Sequence, residues 1–160
     1  NDPDGTVFAS LFDPAFKKKM AGLPLDVVEV DHFMRITNRV YSTGQLLCVY
    51  KNQPLAEQAL ILQTEKGFSV ITGCAHPGIV EILKKVKSQL SLKEFYMVIG
   101  GFHLKNHTPA EIEQILEEFA ALKVRRVAPL HCTGAEAQDI FKKIYKDQCF
   151  LLKIGETMEV

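Results

Sequence analysis

No run of about eighteen apolar residues occurs anywhere in the chain, so no segment reads as a membrane-crossing helix. No Lys/Arg cluster is longer than Lys17 to Lys19, and 19 basic residues stand against 19 acidic ones, so a nucleic-acid partner is not expected. The opening NDPDGTVFAS has neither the basic flank nor the apolar stretch of a secretory leader. Cysteine is scarce: Cys48, Cys74, Cys132 and Cys149 lie far apart, which is not the density of a disulfide scaffold and points to a reducing cytosol. There is also no GxGxxG or GxxxxGK string. Its absence weakens a nucleotide- or phosphate-binding reading that would rest on the helix amino ends at Pro77 and Thr133. The first residue is Asn1 rather than Met, the mark expected of a chain that begins inside a longer product or has been trimmed.

What is present suffices for one α/β domain: 160 residues, 47% of them hydrophobic. Within that single domain the pattern changes near Gln58. Residues 1–57 carry short β-like runs, TVFAS, DVVEV and YSTGQLLCVY, broken by DPDG, FDPAF and AGLP, with one short helix expected over Phe16 to Met20. Residues 58–160 are regular. The runs 58-QALILQT-64 and 68-FSVITG-73 flank Glu-Lys-Gly, which predicts a β-hairpin with Gly67 in the turn. The segment 77-PGIVEILKKVKSQL-90 predicts a helix opened by Pro77, with Ile79, Leu83, Val86 and Leu90 on one stripe. Thr108 to Glu111 and Thr133 to Glu136 read as capping boxes of two further helices, the first burying Ile112, Ile115, Leu116 and Phe119, the second Ile140, Phe141 and Ile144. The run 149-CFLLKIG-155 reads as a closing strand.

In a sheet whose strands are joined by crossover helices, the carboxyl ends of the strands share an edge, and ligands bind in the crevice there. His76, His103 and His131 each fall just past such an end, 27 and 28 residues apart, about one strand, one helix and two loops. Three imidazoles on one rim form a candidate metal site, to which Cys74 and Cys132 add possible thiolate or supporting positions. With nitrogen and sulfur donors zinc comes first, iron or manganese second. Plainer readings stand beside each residue. An imidazole at a helix start can simply accept an amide hydrogen bond, and GGFHL can be a strand whose glycines allow close backbone approach, with His103 turned to solvent. His107 reads as an exposed loop residue, His32 as lying at a strand edge, Cys48 and Cys149 as small core residues, and Lys17 to Lys19 as a solvated helix face.

The strings 58-QALILQTEKGFSVITGCAHPGIVEIL-83, 98-VIGGFHL-104 and 128-APLHCTG-134, in that order, resemble the metallo-β-lactamase superfamily. Within it they resemble the group of the 7,8-dihydropterin-6-methyl-4-(β-D-ribofuranosyl)aminobenzene 5′-phosphate synthase. The resemblance implies the C-terminal portion of an αββα sandwich, two mixed sheets packed between outer helices, and, for the complete family fold, a dinuclear metal site acting on a phosphate or ester substrate. His131 matches the superfamily's last metal-binding histidine. Cys74 stands where many relatives have a metal-bridging aspartate, with His76 as the implied ligand beside it. His103 belongs to the GGFHL signature, with a site or substrate role. The superfamily's HxHxDH motif does not occur in these residues, and TVFASLFDPAFKKK resembles the family segment on the carboxyl side of that motif. The expectation is therefore a metal-dependent hydrolase or transferase domain that is inactive by itself, catalytic residues unassigned. Its expected partners are its missing amino-terminal portion or a second copy. The alternative is a non-catalytic structural or partner-binding domain that keeps the fold.

Overall fold

The computed structural model describes residues 18–19, 21–22 and 28–160. The expected strand TVFAS lies outside them, as do Phe16, Lys17 and Met20 of the expected first helix; Lys18 and Lys19 are helical and exposed. Val28 to Val30, the described end of DVVEV, form no strand.

The hairpin predicted from Glu-Lys-Gly is the centre of the architecture. Strands β5 (Ala59–Thr64) and β6 (Gly67–Thr72) pair antiparallel from Ala59 opposite Thr72 to Thr64 opposite Gly67. On one side β5 pairs with β2 (Val40–Ser42), which pairs with β1 (Met34–Arg35), both antiparallel. On the other side β7 (Phe95–Gly101) and β8 (Val124–Leu130) join in parallel, giving a mixed six-stranded sheet in the order β1-β2-β5-β6-β7-β8. A second sheet is a two-stranded ribbon of β3 (Leu46–Tyr50) and β4 (Gln53–Glu57).

The parallel strands require crossovers, and these are α1 (Ile79–Leu90) between β6 and β7 and α2 (Pro109–Ala121) between β7 and β8; α3 (Ala135–Tyr145) follows β8. Registry puts Ile61, Val70, Val98 and Val127 in one row across four strands. That row packs with Ile79, Ile82, Leu83 and Val86 of α1, Ile112 and Phe119 of α2, and Phe141 of α3, so all three helices cover the same face. Burial at these positions, about 1.5–3 kcal/mol for each large apolar side chain, is what holds the layers together. On the opposite face, Met97, Ile99 and Ala128 are covered by Phe150, Met158 and Val160.

Several expectations need correction. The run YSTGQLLCVY is not one strand: at Gly44 (φ +67) the chain turns through the left-handed region and passes from the large sheet to the ribbon. A Cβ there would lie 2.2 Å from the backbone of His32. Pro77 does not open α1, because Gly78 (φ +96) is non-helical and its N–H closes a turn onto the Ala75 carbonyl at 2.9 Å. Of the α1 stripe, Leu90 is only partly buried, and Ile82 is buried in addition. The Thr108 capping box is present in full, with Glu111 closing it. The Thr133 box is not: its hydroxyl donates to the Leu130 carbonyl (2.7 Å) and accepts from the Phe102 N–H (3.1 Å), leaving Gly134 to precede α3. Ile144, expected in the core, is 58% exposed. The run 149-CFLLKIG-155 makes a single bridge to Val127 and then leaves the sheet. There the Lys153 N–H turns to the Glu156 carboxylate at 2.8 Å, a local side-chain bond that competes with a strand ladder.

Candidate metal centre

Strands β6, β7 and β8 end at Thr72, Gly101 and Leu130, side by side in the sheet, so the segments after them emerge on one edge. Glycine makes the edge tight. A Cβ on Gly100 (φ +125) would sit 2.2 Å from the Thr72 carbonyl oxygen, and one on Gly101 would sit 2.5 Å from the Gly73 oxygen and 2.6 Å from the Cys132 sulfur. The Gly101 N–H donates to the Gly73 carbonyl (2.9 Å) and the Thr72 hydroxyl to the Gly101 carbonyl (3.0 Å), tying the two strand ends together. The close backbone approach expected of GGFHL is thus present. Just beyond it, Ala75, His103 and His131 all have positive φ, at 62°, 54° and 48°.

The five expected site residues fall into two groups. Cys74, His131 and Cys132 place one donor atom each within 4.8 Å of one another, and this is the one such trio among the described residues. Cys132 also donates its S–H to the Cys74 carbonyl at 3.4 Å. Burial pushes the Cys74 thiol up to about 12, with the neighbouring Cys132 and Glu57 adding to the effect, so without a cation the group is a neutral thiol. All four cysteines are free, and Cys149 is buried as expected.

His76 and His103 form the second group, their ring centroids 4.3 Å apart. Tyr50 packs against both rings, at 4.1 Å from His76 and 5.4 Å from His103. Burial, and then the adjacent His76, hold the His103 imidazole below its ordinary pKa, so it is a neutral ring and a competent ligand. His103 is not turned to solvent: its Nδ1 is buried without a partner. His107, expected in an exposed loop, is half-buried with the same orphaned Nδ1, and it joins His76, His103 and the first turn of α1 around a cleft of about 230 Å³. His32 lies two residues before β1, exposed, with its Nδ1 on the Asp31 carboxylate.

Two residues of this arrangement carry no signal in the sequence. Glu57 ends β4, where one carboxylate oxygen accepts the His76 backbone N–H (2.9 Å) and the other meets His76 Nδ1. Tyr50 ends β3. Both reach the rim from the ribbon, so the site is built by two sheets rather than one. The donor set fits a divalent metal of the borderline-soft class: an imidazole and two thiols converge, and a buried imidazole nitrogen nearby has no protein partner. Cys74, His131 and Cys132 could hold such an ion, with His76 and His103 as further nitrogen donors.

No family model matches the chain. It is 37% identical over 106 residues to the 7,8-dihydropterin-6-methyl-4-(β-D-ribofuranosyl)-aminobenzene-5′-phosphate synthase of Methanocaldococcus jannaschii, a match covering 64% of this chain and 35% of that enzyme. An uncharacterized protein of the same organism is 35% identical over 68 residues, 42% of this chain and 25% of that protein. Among solved structures, the crystal structure of Tm1679, described as a metal-dependent hydrolase of the β-lactamase superfamily, superposes with a TM-score of 0.69 at 31% identity. That superposition covers 84% of this chain and 57% of Tm1679. The chain therefore spans about a third of the curated enzyme and a little over half of the hydrolase. A mixed sheet with its helices on one face, a donor-lined rim where the parallel strands end, and likeness in both sequence and fold lead to one conclusion: the chain resembles members of the metallo-β-lactamase superfamily over the part of their length that it spans.

Proposed function

We propose that this chain supplies the metal-holding rim of a metal-dependent hydrolase or transferase, and that it is inactive until further donors complete the site. The observation that carries the reading is the convergence of Cys74, His131 and Cys132 within 4.8 Å at the carboxyl ends of adjacent parallel strands. Zinc is the first candidate for this donor set, iron or manganese the second. When bound, such an ion supplies Lewis acidity toward a phosphate or ester oxygen and acidifies a water. The chain's own residues hold the ion and shape the cleft lined by His76, His103 and His107. No carboxylate stands within the donor trio to take a proton from an attacking water, and no HxHxDH string occurs in the chain, which supports inactivity of these residues alone. The substrate class we assign to the complete site is a small phosphate or phosphoester, in line with the name of the methanogen enzyme, and the setting a reducing cytoplasm.

Elemental analysis of protein purified without chelator tests the reading. A near-stoichiometric transition metal that is lost in Cys74→Ser and in His131→Ala supports it, and metal-free protein indistinguishable from both variants overturns it. Phosphodiesterase activity that appears only when an HxHxDH-bearing portion of the family fold is joined to the chain would support its catalytic half.

A second reading, a non-catalytic domain that binds a partner through its fold, is favoured by one observation: Leu47 and Val49 of the ribbon are 76% and 75% exposed on the same face of β3. Sedimentation of the chain against a Leu47→Lys/Val49→Lys variant decides it. Association lost in the variant supports that role, and two monomeric samples remove it.

A further inference from the structure

Glu57 engages a single rim residue with both carboxylate oxygens, and nothing in the sequence marks it. It contacts His76 twice: Oε2 accepts the backbone N–H at 2.9 Å, and Oε1 is paired with the ring Nδ1. The two side chains are 8% (His76) and 17% (Glu57) exposed, so water competes weakly for either bond. Tyr50, from the other strand of the ribbon, packs on the imidazole with centroids 4.1 Å apart, and His103 lies 4.3 Å away, so neighbouring rings limit its rotation. A carboxylate only accepts hydrogen bonds, so its partner nitrogen in a neutral imidazole must carry the proton.

We infer that Glu57 is the positioning residue of His76: it fixes the ring in the Nδ1–H tautomer and leaves Nε2 as the nitrogen available to a divalent metal or a proton at the cleft. The assignment of His76 as a ligand rests on the proposed function; the tautomer does not. A carboxylate behind a metal-ligating histidine orients the ring and raises its basicity, and removing such a partner weakens metal binding by roughly 10–100-fold. The ribbon thereby acquires a role in the site, because β3 and β4 deliver both groups that fix His76.

The test uses ring ¹⁵N NMR of the full, metal-free chain at a pH where imidazoles are neutral. The expected spectrum for His76 has a protonated Nδ1 and an unprotonated Nε2. In Glu57→Ala that pattern should give way to the Nε2–H form or a mixture, and Glu57→Gln, whose amide oxygen can still accept from Nδ1, should restore it in part. A His76 already in the Nε2–H form in the native chain overturns the inference without any variant having to fold. So does an unchanged tautomer in a folded Glu57→Ala protein. Cobalt titration separates this from the proposed function. If the tautomer follows Glu57 and affinity falls by about 10–100-fold, His76 is both positioned and ligating. If the tautomer follows Glu57 and affinity does not move, Glu57 still positions His76, and it is the metal role of His76 that fails.

Discussion

Gly101 shows how little space the rim allows. A methyl group there would meet the Gly73 carbonyl oxygen at 2.5 Å and the Cys132 sulfur at 2.6 Å, so Gly101→Ala should separate the ends of β6 and β7 and displace one of the three donors. We expect a loss of about 2–4 kcal/mol in urea denaturation, together with weakened metal binding. Thr108 is a gentler case. Its hydroxyl and backbone both engage Glu111, and those bonds hold the Glu111 carboxyl below its ordinary value of 4.5. A carboxyl with a depressed folded pKa adds stability above its unfolded pKa and loses it as the pH falls through the folded one. The native chain should therefore lose this contribution on acidification below about pH 4.5, and Glu111→Gln should flatten that part of the pH–stability curve. Thr108→Ala should cost about 1 kcal/mol. The capping box was readable because all its parts lie within four residues. Glu57 is not, because its partner His76 is 19 residues away, in the turn after a strand of the other sheet, and no local pattern encodes that meeting.

Among the elements, the helices share one aromatic junction. Phe102, Phe119 and Phe141 pack with centroids 5.5–5.8 Å apart, one from the loop after β7, one from α2 and one from α3. All three are at most 1% exposed, so Phe119→Ala should open a cavity worth about 3–5 kcal/mol and loosen the loop that carries His103. Calorimetry and amide exchange of residues 102–107 would show both effects. Periodicity revealed α2 and the hairpin β5–β6 because each has a strong local rhythm closed by its own turn. It misled over 149-CFLLKIG-155, where apolar composition suggested a strand but Leu151 and Ile154 are 38% and 107% exposed. Alternation reports only that a segment suits a sheet; whether an edge is free to receive it is a property of the tertiary structure. Helices α1 and α3 start two residues beyond Pro77 and Thr133, for a related reason. Pro77 and Thr133 are both good helix openers, yet the rim draws each into a turn, and Thr133 spends its hydroxyl holding β8 to the loop after β7.

For the molecule as a whole, metal and stability should be linked. An ion that binds the folded chain alone, at 100 times its dissociation constant, adds about 2.7 kcal/mol, so zinc should raise the melting temperature and EDTA should return it to the metal-free value. Under the same conditions zinc should protect Cys74 and Cys132 from alkylation, while buried Cys149 reacts only on unfolding in either state. That the segments carrying His76, His103 and His131 would emerge on one edge followed from strand order alone. Which donors would meet did not, since the Cys132 sulfur and the Cys74 backbone crowd the space that a side chain at Gly101 would fill, a closeness set by the tertiary structure. The left-handed backbone at His103 and His131 carries one further consequence, for evolution and engineering. Glycine would sit at those positions with less strain than histidine. Variants selected for heat tolerance alone should therefore drift away from histidine at 103 and 131, gaining robustness by discarding the chemistry, and only a selection that also demands metal would keep them.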